Sequence, residues 1–216
     1  MQIVESSFEI KYPRNEADWL FEAQMIEEAA RNCYKSQDKI TPTSYKDILR
    51  TLMQNEHFAM IEFGNFICRI ITDRGVTHEL VRHRIASYAQ ESTRFCNYGK
   101  DKFGKEITVV IPHGIKRVTE DSTDEEKEKY INWHTPCKIA EKSYFDLLEK
   151  EVKPQIARSV LPTSLKTEIY FKCNWTELLH IFKMRCSEKA HPDIRNIFIA
   201  IREKCAKYMP EVFSYE

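Results

Sequence analysis

Residues 124–150 carry Tyr130, Trp133, Cys137, Ala140, Tyr144 and Leu147 at helical spacing, so a long helix must be accommodated there. It lies between two stretches that read as strands, 106–112 (EITVVIP) and 166–173 (KTEIYFKC). Upstream, 2–11 reads as a strand. Asn15 caps a helix to about 35, with Trp19, Leu20, Ala23, Ile26, Ala30 and Cys33 on one stripe. Ser44 starts another, bearing Ile48, Leu49, Leu52 and Met53, and 65–72 (NFICRIIT) reads as a strand. Asp73 caps a helix running into Arg82. Residues 153–160 form a short helix that Pro162 ends, Thr176 caps the next, and Pro192 sits in the first turn of the last. No regular βαβ rhythm joins these elements, which predicts an α+β fold. The 216 residues suit one domain, 1–216. The charged stretch 119–129 reads as a solvated loop entering a helix, not as a boundary.

Lysine plus arginine and aspartate plus glutamate both number 33, so the basic excess of a general polyanion binder is missing and no nucleic-acid partner is expected. No apolar run approaches the roughly 20 residues of a membrane span, and MQIVESSFEIKY does not read as a secretory signal. Cys33, Cys68, Cys96, Cys137, Cys173, Cys186 and Cys205 include no C-x-x-C pair, and their count is odd. Free thiols in a reducing cytoplasm fit better than a disulfide scaffold or a zinc site, and no metal is expected.

Against this neutral background, 82–94 (RHRIASYAQESTR) concentrates Arg82, Arg84 and Arg94. Gly64, Gly75, Gly99, Gly104 and Gly114 form neither G-x-G-x-x-G nor a Walker loop, so any phosphate must be held by side chains. Arginine suits that role because its planar fork pairs bidentately with phosphate oxygens. If 82–84 is extended, Arg82 and Arg84 share a face and His83 points away. If it is the last turn of a helix, the cations decorate the negative end of the dipole. Ser87, Gln90 and Ser92 add groups able to bond a phosphate or a base edge, or they are the wet face of a polar strand.

The stretch resembles the signature of the flavin-dependent thymidylate synthases, the ThyX family, which reads R-H-R, seven residues, then S. Here Arg82-His83-Arg84 is followed by IASYAQE and Ser92, with Arg94 beyond. AARNCYKS at 29–36, HFAMIEF at 57–63 with His57 and Glu62, IARSVLP at 156–162, NWTELLHIFKMR at 174–185 and HPDIR at 191–195 fall in family order. The resemblance implies a mixed fold with a central β-sheet flanked by helices. It implies a homotetramer binding FAD between subunits and converting dUMP to dTMP, with 5,10-methylenetetrahydrofolate as carbon donor and NADPH as reductant. By position, Arg82, His83 and Arg84 would contact FAD, joined by Ala59, Glu62, Gln90, Asn174, Trp175, Thr176 and His180. Glu79, Leu80, Val81, Arg82, Gln90, Glu91, Ser92, Thr93, Arg94 and Arg158 would line the dUMP site. Arg185 would sit beside the uracil ring as the catalytic residue, favouring ionisation at N3.

Without the resemblance these residues have plainer readings. Arg185, four residues from Ile181 and seven from Leu178, borders the apolar stripe and either snorkels outward or faces a ligand. Arg158 is a surface charge, Asn174 a cap, His180 a helix-face histidine, His57 a helix-end histidine and Glu62 a strand-edge carboxylate. Some positions depart from the family pattern. Ala89-Gln90 stands where Asn-Glu is frequent, so position 90 carries no charge, although Glu91 is adjacent. Ala59 replaces a common hydroxyl residue, Phe63 a histidine, and Glu79 a glutamine. Pro136-Cys137 superficially matches the Pro-Cys of classical thymidylate synthase, but Cys137 lies on an apolar stripe where a cysteine is usually a small hydrophobe. Two rivals remain: a nucleotide-binding module with salt-dependent oligonucleotide affinity, and a family relative without turnover.

Overall fold

Residues 2–11 form two strands with different partners. In the computed structural model, which describes residues 1–214, these are β1 (Gln2–Val4) and β2 (Ser7–Tyr12). There follow α1 (Glu16–Tyr34), α2 (Tyr45–Gln54), α3 (Phe58–Ile61), β3 (Asn65–Asp73), α4 (Arg74–Leu80), β4 (Ser87–Gln90) and β5 (Thr108–Val110). The chain continues with α5 (Asp124–Glu149), α6 (Pro154–Ala157), β6 (Lys166–Asn174), α7 (Trp175–Arg185), α8 (Pro192–Tyr208) and α9 (Pro210–Phe213). Four strands form one sheet in the order β2-β3-β6-β4, and β1 pairs with β5 in parallel, with Ile3 opposite Val109. The class is α+β, as expected. The strand expected at 106–112 shrinks to β5, because only those three residues find a ladder partner in β1.

The chain divides into two compact units, and β3, β4 and β6 each have residues in both. The first comprises Met1–Ser7, Ile70–Glu79 and Gln90–Ile169. Thr123 and Glu126 open α5 with a reciprocal capping box. Its stripe delivers Cys137 and Tyr144 to a core shared with Tyr98, Ile107, Val109, Ala157 and Leu165. The carboxylate of Asp73 accepts from the Val76 amide at 2.7 Å and starts α4, which ends at Leu80, two residues before Arg82.

The second unit comprises Phe8–Arg69, Leu80–Ala89 and Tyr170–Glu216. Its centre is aromatic: Trp19 stacks on Tyr208, with ring centroids 5.6 Å apart, and meets Trp175 and Phe213 at tilted or edge-on angles. Asn15 caps α1 by accepting from the Asp18 amide. Trp19, Ala23, Ile26 and Ala30 are buried as the stripe predicts, but Cys33 is exposed. The buried face instead takes in Glu27 and Arg31, which pair with each other at 2.7 Å. Thr176 does not cap α7. Asn174 does, accepting from the Glu177 amide at 2.7 Å, while the Thr176 hydroxyl donates to the Phe58 carbonyl at 2.9 Å. A Cβ on Gly64 would lie 2.5 Å from the Trp175 ring, so this close approach needs glycine. No helix among the described residues is long and apolar enough to cross a membrane.

Candidate active site

In the second unit, a turn after α4 carries the R-H-R triplet. The His83 amide donates to the Leu80 carbonyl at 3.1 Å. The Tyr88 hydroxyl faces the carbonyls of Leu80 and His83 at 2.9 and 2.8 Å, pinning both ends of the turn. The side chains alternate: His83 is buried, whereas Arg82 and Arg84 are exposed and make no hydrogen bond or ion pair among the described residues. The extended reading of 82–84 therefore describes the side-chain directions, although the segment is a turn.

His83 meets three side chains of α7. Arg185 Nε donates to His83 Nε2 at 2.9 Å. Glu177 Oε1 lies 3.6 Å from His83 Nδ1, and the His180 ring stands edge-on at a centroid distance of 5.7 Å. Burial first, then the positive charge of Arg185 and the proximity of His180, press the His83 pKa down to about 4. The imidazole is thus neutral at physiological pH, and it orients the Arg185 guanidinium without adding a charge of its own. Burial pushes the carboxyl of Glu177 above the usual carboxylate range.

This arrangement has a consequence for stability. Below pH 6.5 the unfolded chain protonates His83 readily while the folded chain resists down to about 4. His83 therefore contributes stability that is complete above about pH 6.5 and is lost as pH falls through 4. The loss is at most about 3 kcal/mol at 1.36 kcal/mol per pKa unit. Glu177, with its raised pKa, acts in the opposite direction in acid. Urea unfolding at pH 7 and pH 4.5, compared between the wild-type chain and His83→Gln, isolates the histidine. The variant should lose less stability on acidification, and an equal loss in both would contradict the account.

The other expected second-unit residues divide by exposure. Ala59 and Glu62 are exposed on and just after α3, which Thr176 ties to the first turn of α7. His57 and His180 are exposed. A cavity of about 440 Å³ is lined by Phe58, Thr176, His180, Lys183 and Arg202 among others. Trp175 is fully buried, its indole N–H donating to the Asn65 carbonyl, and Asn174 is spent on its cap. Leu80 is buried too, while Val81 is exposed.

In the first unit, 90–94 is held by interactions that sequence reasoning missed. The Gln90 amide donates to Thr77 and Thr167 at 3.0 and 3.2 Å. Glu91 accepts from the Tyr98 hydroxyl at 2.9 Å and from Lys166 at 3.1 Å, and its carbonyl accepts from Arg74 at 2.8 Å. Its carboxylate anchors the loop rather than projecting from it. Arg158 donates to the hydroxyl of buried Thr93 at 2.9 Å. Arg94 is exposed, its guanidinium over the Phe95 ring at 5.5 Å. Ser92 and Glu79 are half-buried. Cys137, buried in the core, sits where a small hydrophobe belongs.

Comparison with known proteins gives this geometry a family. A family model described as thymidylate synthase complementing protein matches residues 18–211. A flavin-dependent thymidylate synthase of Geobacter sulfurreducens is 30% identical over 192 residues, covering 86% of this chain and 78% of that protein. One from Pyrococcus abyssi is 32% identical over 174 residues, covering 80% and 67%. The crystal structure of a UMP/dUMP methylase, PolB of Streptomyces cacaoi, bound with 5-Br dUMP, shares the fold with a TM-score of 0.77 at 20% identity, covering 99% of this chain and 96% of that one. The chain belongs to the thymidylate synthase complementing protein family, the enzymes named flavin-dependent thymidylate synthases.

Proposed function

We propose that the chain is an FAD-dependent thymidylate synthase. It methylates dUMP reductively to dTMP, taking the carbon from 5,10-methylenetetrahydrofolate and reducing equivalents from NADPH. The observation that carries this reading is Arg185, seated by its Nε on the neutral histidine of the R-H-R triplet. A fixed guanidinium beside the pyrimidine stabilises the negative charge that develops as the ring is activated for attack at C5.

The residues present fit a flavin dinucleotide. Arg82 and Arg84 are exposed and have no partners among the described residues, which suits them to the pyrophosphate. His83 and His180, the exposed Ala59 and Glu62, and Thr176, with Asn174 and Trp175 shaping the start of α7, complete the proposed cofactor contacts; Gln90 adds an amide. When bound, the flavin supplies the hydride and mediates the carbon transfer. Ser92, Thr93, Arg94 and Arg158 would hold the dUMP phosphate, with residues 79–82, Gln90 and Glu91 around the nucleotide. In a homotetramer these contacts would come from more than one copy of the chain.

No enzyme thiol is needed. Burial raises the thiol pKa of Cys68, Cys173, Cys186 and Cys205, the reverse of what a nucleophile requires. The test is dTMP formation by the purified chain given dUMP, FAD, methylenetetrahydrofolate and NADPH, with each omitted in turn. Formation that requires all four supports the reading. No dTMP, even with chemically reduced FAD, rejects it.

A further inference from the structure

We propose that Glu177 is a positioning residue that sets the orientation of Arg185 through His83. The inference rests on the role given to Arg185 above. Arginine carries a hydrogen on Nε at any relevant pH, so His83 Nε2 must accept with its lone pair. The single proton of the neutral ring then sits on Nδ1, the nitrogen that faces Glu177 Oε1 at 3.6 Å. That separation exceeds a hydrogen bond, so the carboxylate acts as a charge on the N–H dipole. It favours the tautomer that leaves Nε2 open to Arg185. The opposite tautomer would set an N–H against an N–H and release the guanidinium.

The surroundings of Glu177 point the same way. Its side chain is 8% exposed, yet no lysine or arginine pairs with it among the described residues. Burying a carboxylate is unfavourable unless it is paired or hydrogen-bonded. Among the described residues, the only histidine, lysine or arginine within ion-pair range is His83. The Asn174 cap fixes the Glu177 amide at the start of α7, and Arg185 closes the same helix. The imidazole therefore bridges two residues about 12 Å apart along one helix axis at 1.5 Å per residue. The groups facing His83 are Glu177, His180 and Arg185 from α7 and the Tyr88 hydroxyl from β4, which meets its backbone carbonyl.

The test is nitrogen-15 NMR of histidine-labelled full-length chain at pH 7.5, without cofactor. The wild-type His83 ring should be in the Nδ1–H tautomer. Glu177→Ala should give a mixture of tautomers, and so should Glu177→Gln, which keeps the shape of the side chain but not its charge. In turnover, Glu177→Ala should lower kcat about tenfold or more by misplacing the guanidinium, with the KM for dUMP much less affected and with Glu177→Gln impaired in the same way. Glu177→Met, closer in volume, replaces the alanine variant if that chain fails to fold. A wild-type tautomer in a folded Ala or Met variant overturns the proposal. A wild-type chain that makes no dTMP would instead overturn the functional reading, and the NMR comparison would still decide the role of Glu177.

Discussion

Arg185→Ala is expected to lower dTMP formation by about 10²–10³-fold, the usual cost of removing one preorganised group from a developing charge. The protein should still retain flavin, because the proposed pyrophosphate contacts, Arg82 and Arg84, lie on a turn that Tyr88 holds independently of Arg185. Arg185 is half-buried, and its Nε bond ends on a neutral ring, so its loss leaves no buried charge on His83. The defect should appear in kcat. Arg185→Lys keeps the charge but loses the planar fork that docks on His83 Nε2, and should recover only part of the rate. Steady-state kinetics with a flavin absorbance spectrum of each variant checks this. Full activity in Arg185→Ala would remove the residue from the mechanism.

The largest expected effect on stability is at Arg31. Its guanidinium Nε donates to Glu27 Oε1 at 2.7 Å, and the Ser44 hydroxyl donates to the same oxygen at 2.7 Å. Glu27 is 1% exposed, and its Oε2 is buried with no hydrogen-bond partner among the described residues. Arg31→Ala would leave that carboxylate with one hydroxyl, and breaking a buried pair this way costs about 3–5 kcal/mol. That is a large part of the roughly 5–15 kcal/mol that holds a typical domain folded. The double change Glu27→Leu with Arg31→Met should recover most of the loss, since apolar replacement of a buried pair is often neutral. Guanidinium unfolding midpoints of the wild-type chain and the two variants read both effects. A single variant within 1 kcal/mol of the wild-type chain, by midpoint and slope, would show that water reaches Glu27.

Local chemistry was legible where it acts over one helical turn. Asn15, Asp73 and Pro192 mark the starts they were expected to mark, and the α5 stripe faces a core. What depended on a distant partner was not legible. Periodicity cannot say that Gln2–Val4 ladders with Thr108–Val110 while Ser7–Tyr12 joins another sheet. Asn174 and Thr176 are both good capping residues, and only the position of Phe58 sends the threonine elsewhere. The site divides in the same way. The R-H-R triplet and Arg185 stood out as residue types in a recognisable order. Glu177 did not, because an acid in the first turn of a helix reads as ordinary dipole complementation. Only the folded chain brings it to His83. Glu91 was expected among the substrate contacts by its place in the signature, and its bonds to Tyr98 and Lys166 come from residues further along the chain.

The most direct test of the central claim is a visible absorption spectrum of the purified protein, reconstituted with FAD, freed of excess, and recorded before and after dUMP is added. The account predicts retained flavin bands that shift on dUMP addition, since flavin and uracil must lie close for carbon transfer. A protein that retains no flavin after reconstitution would contradict it.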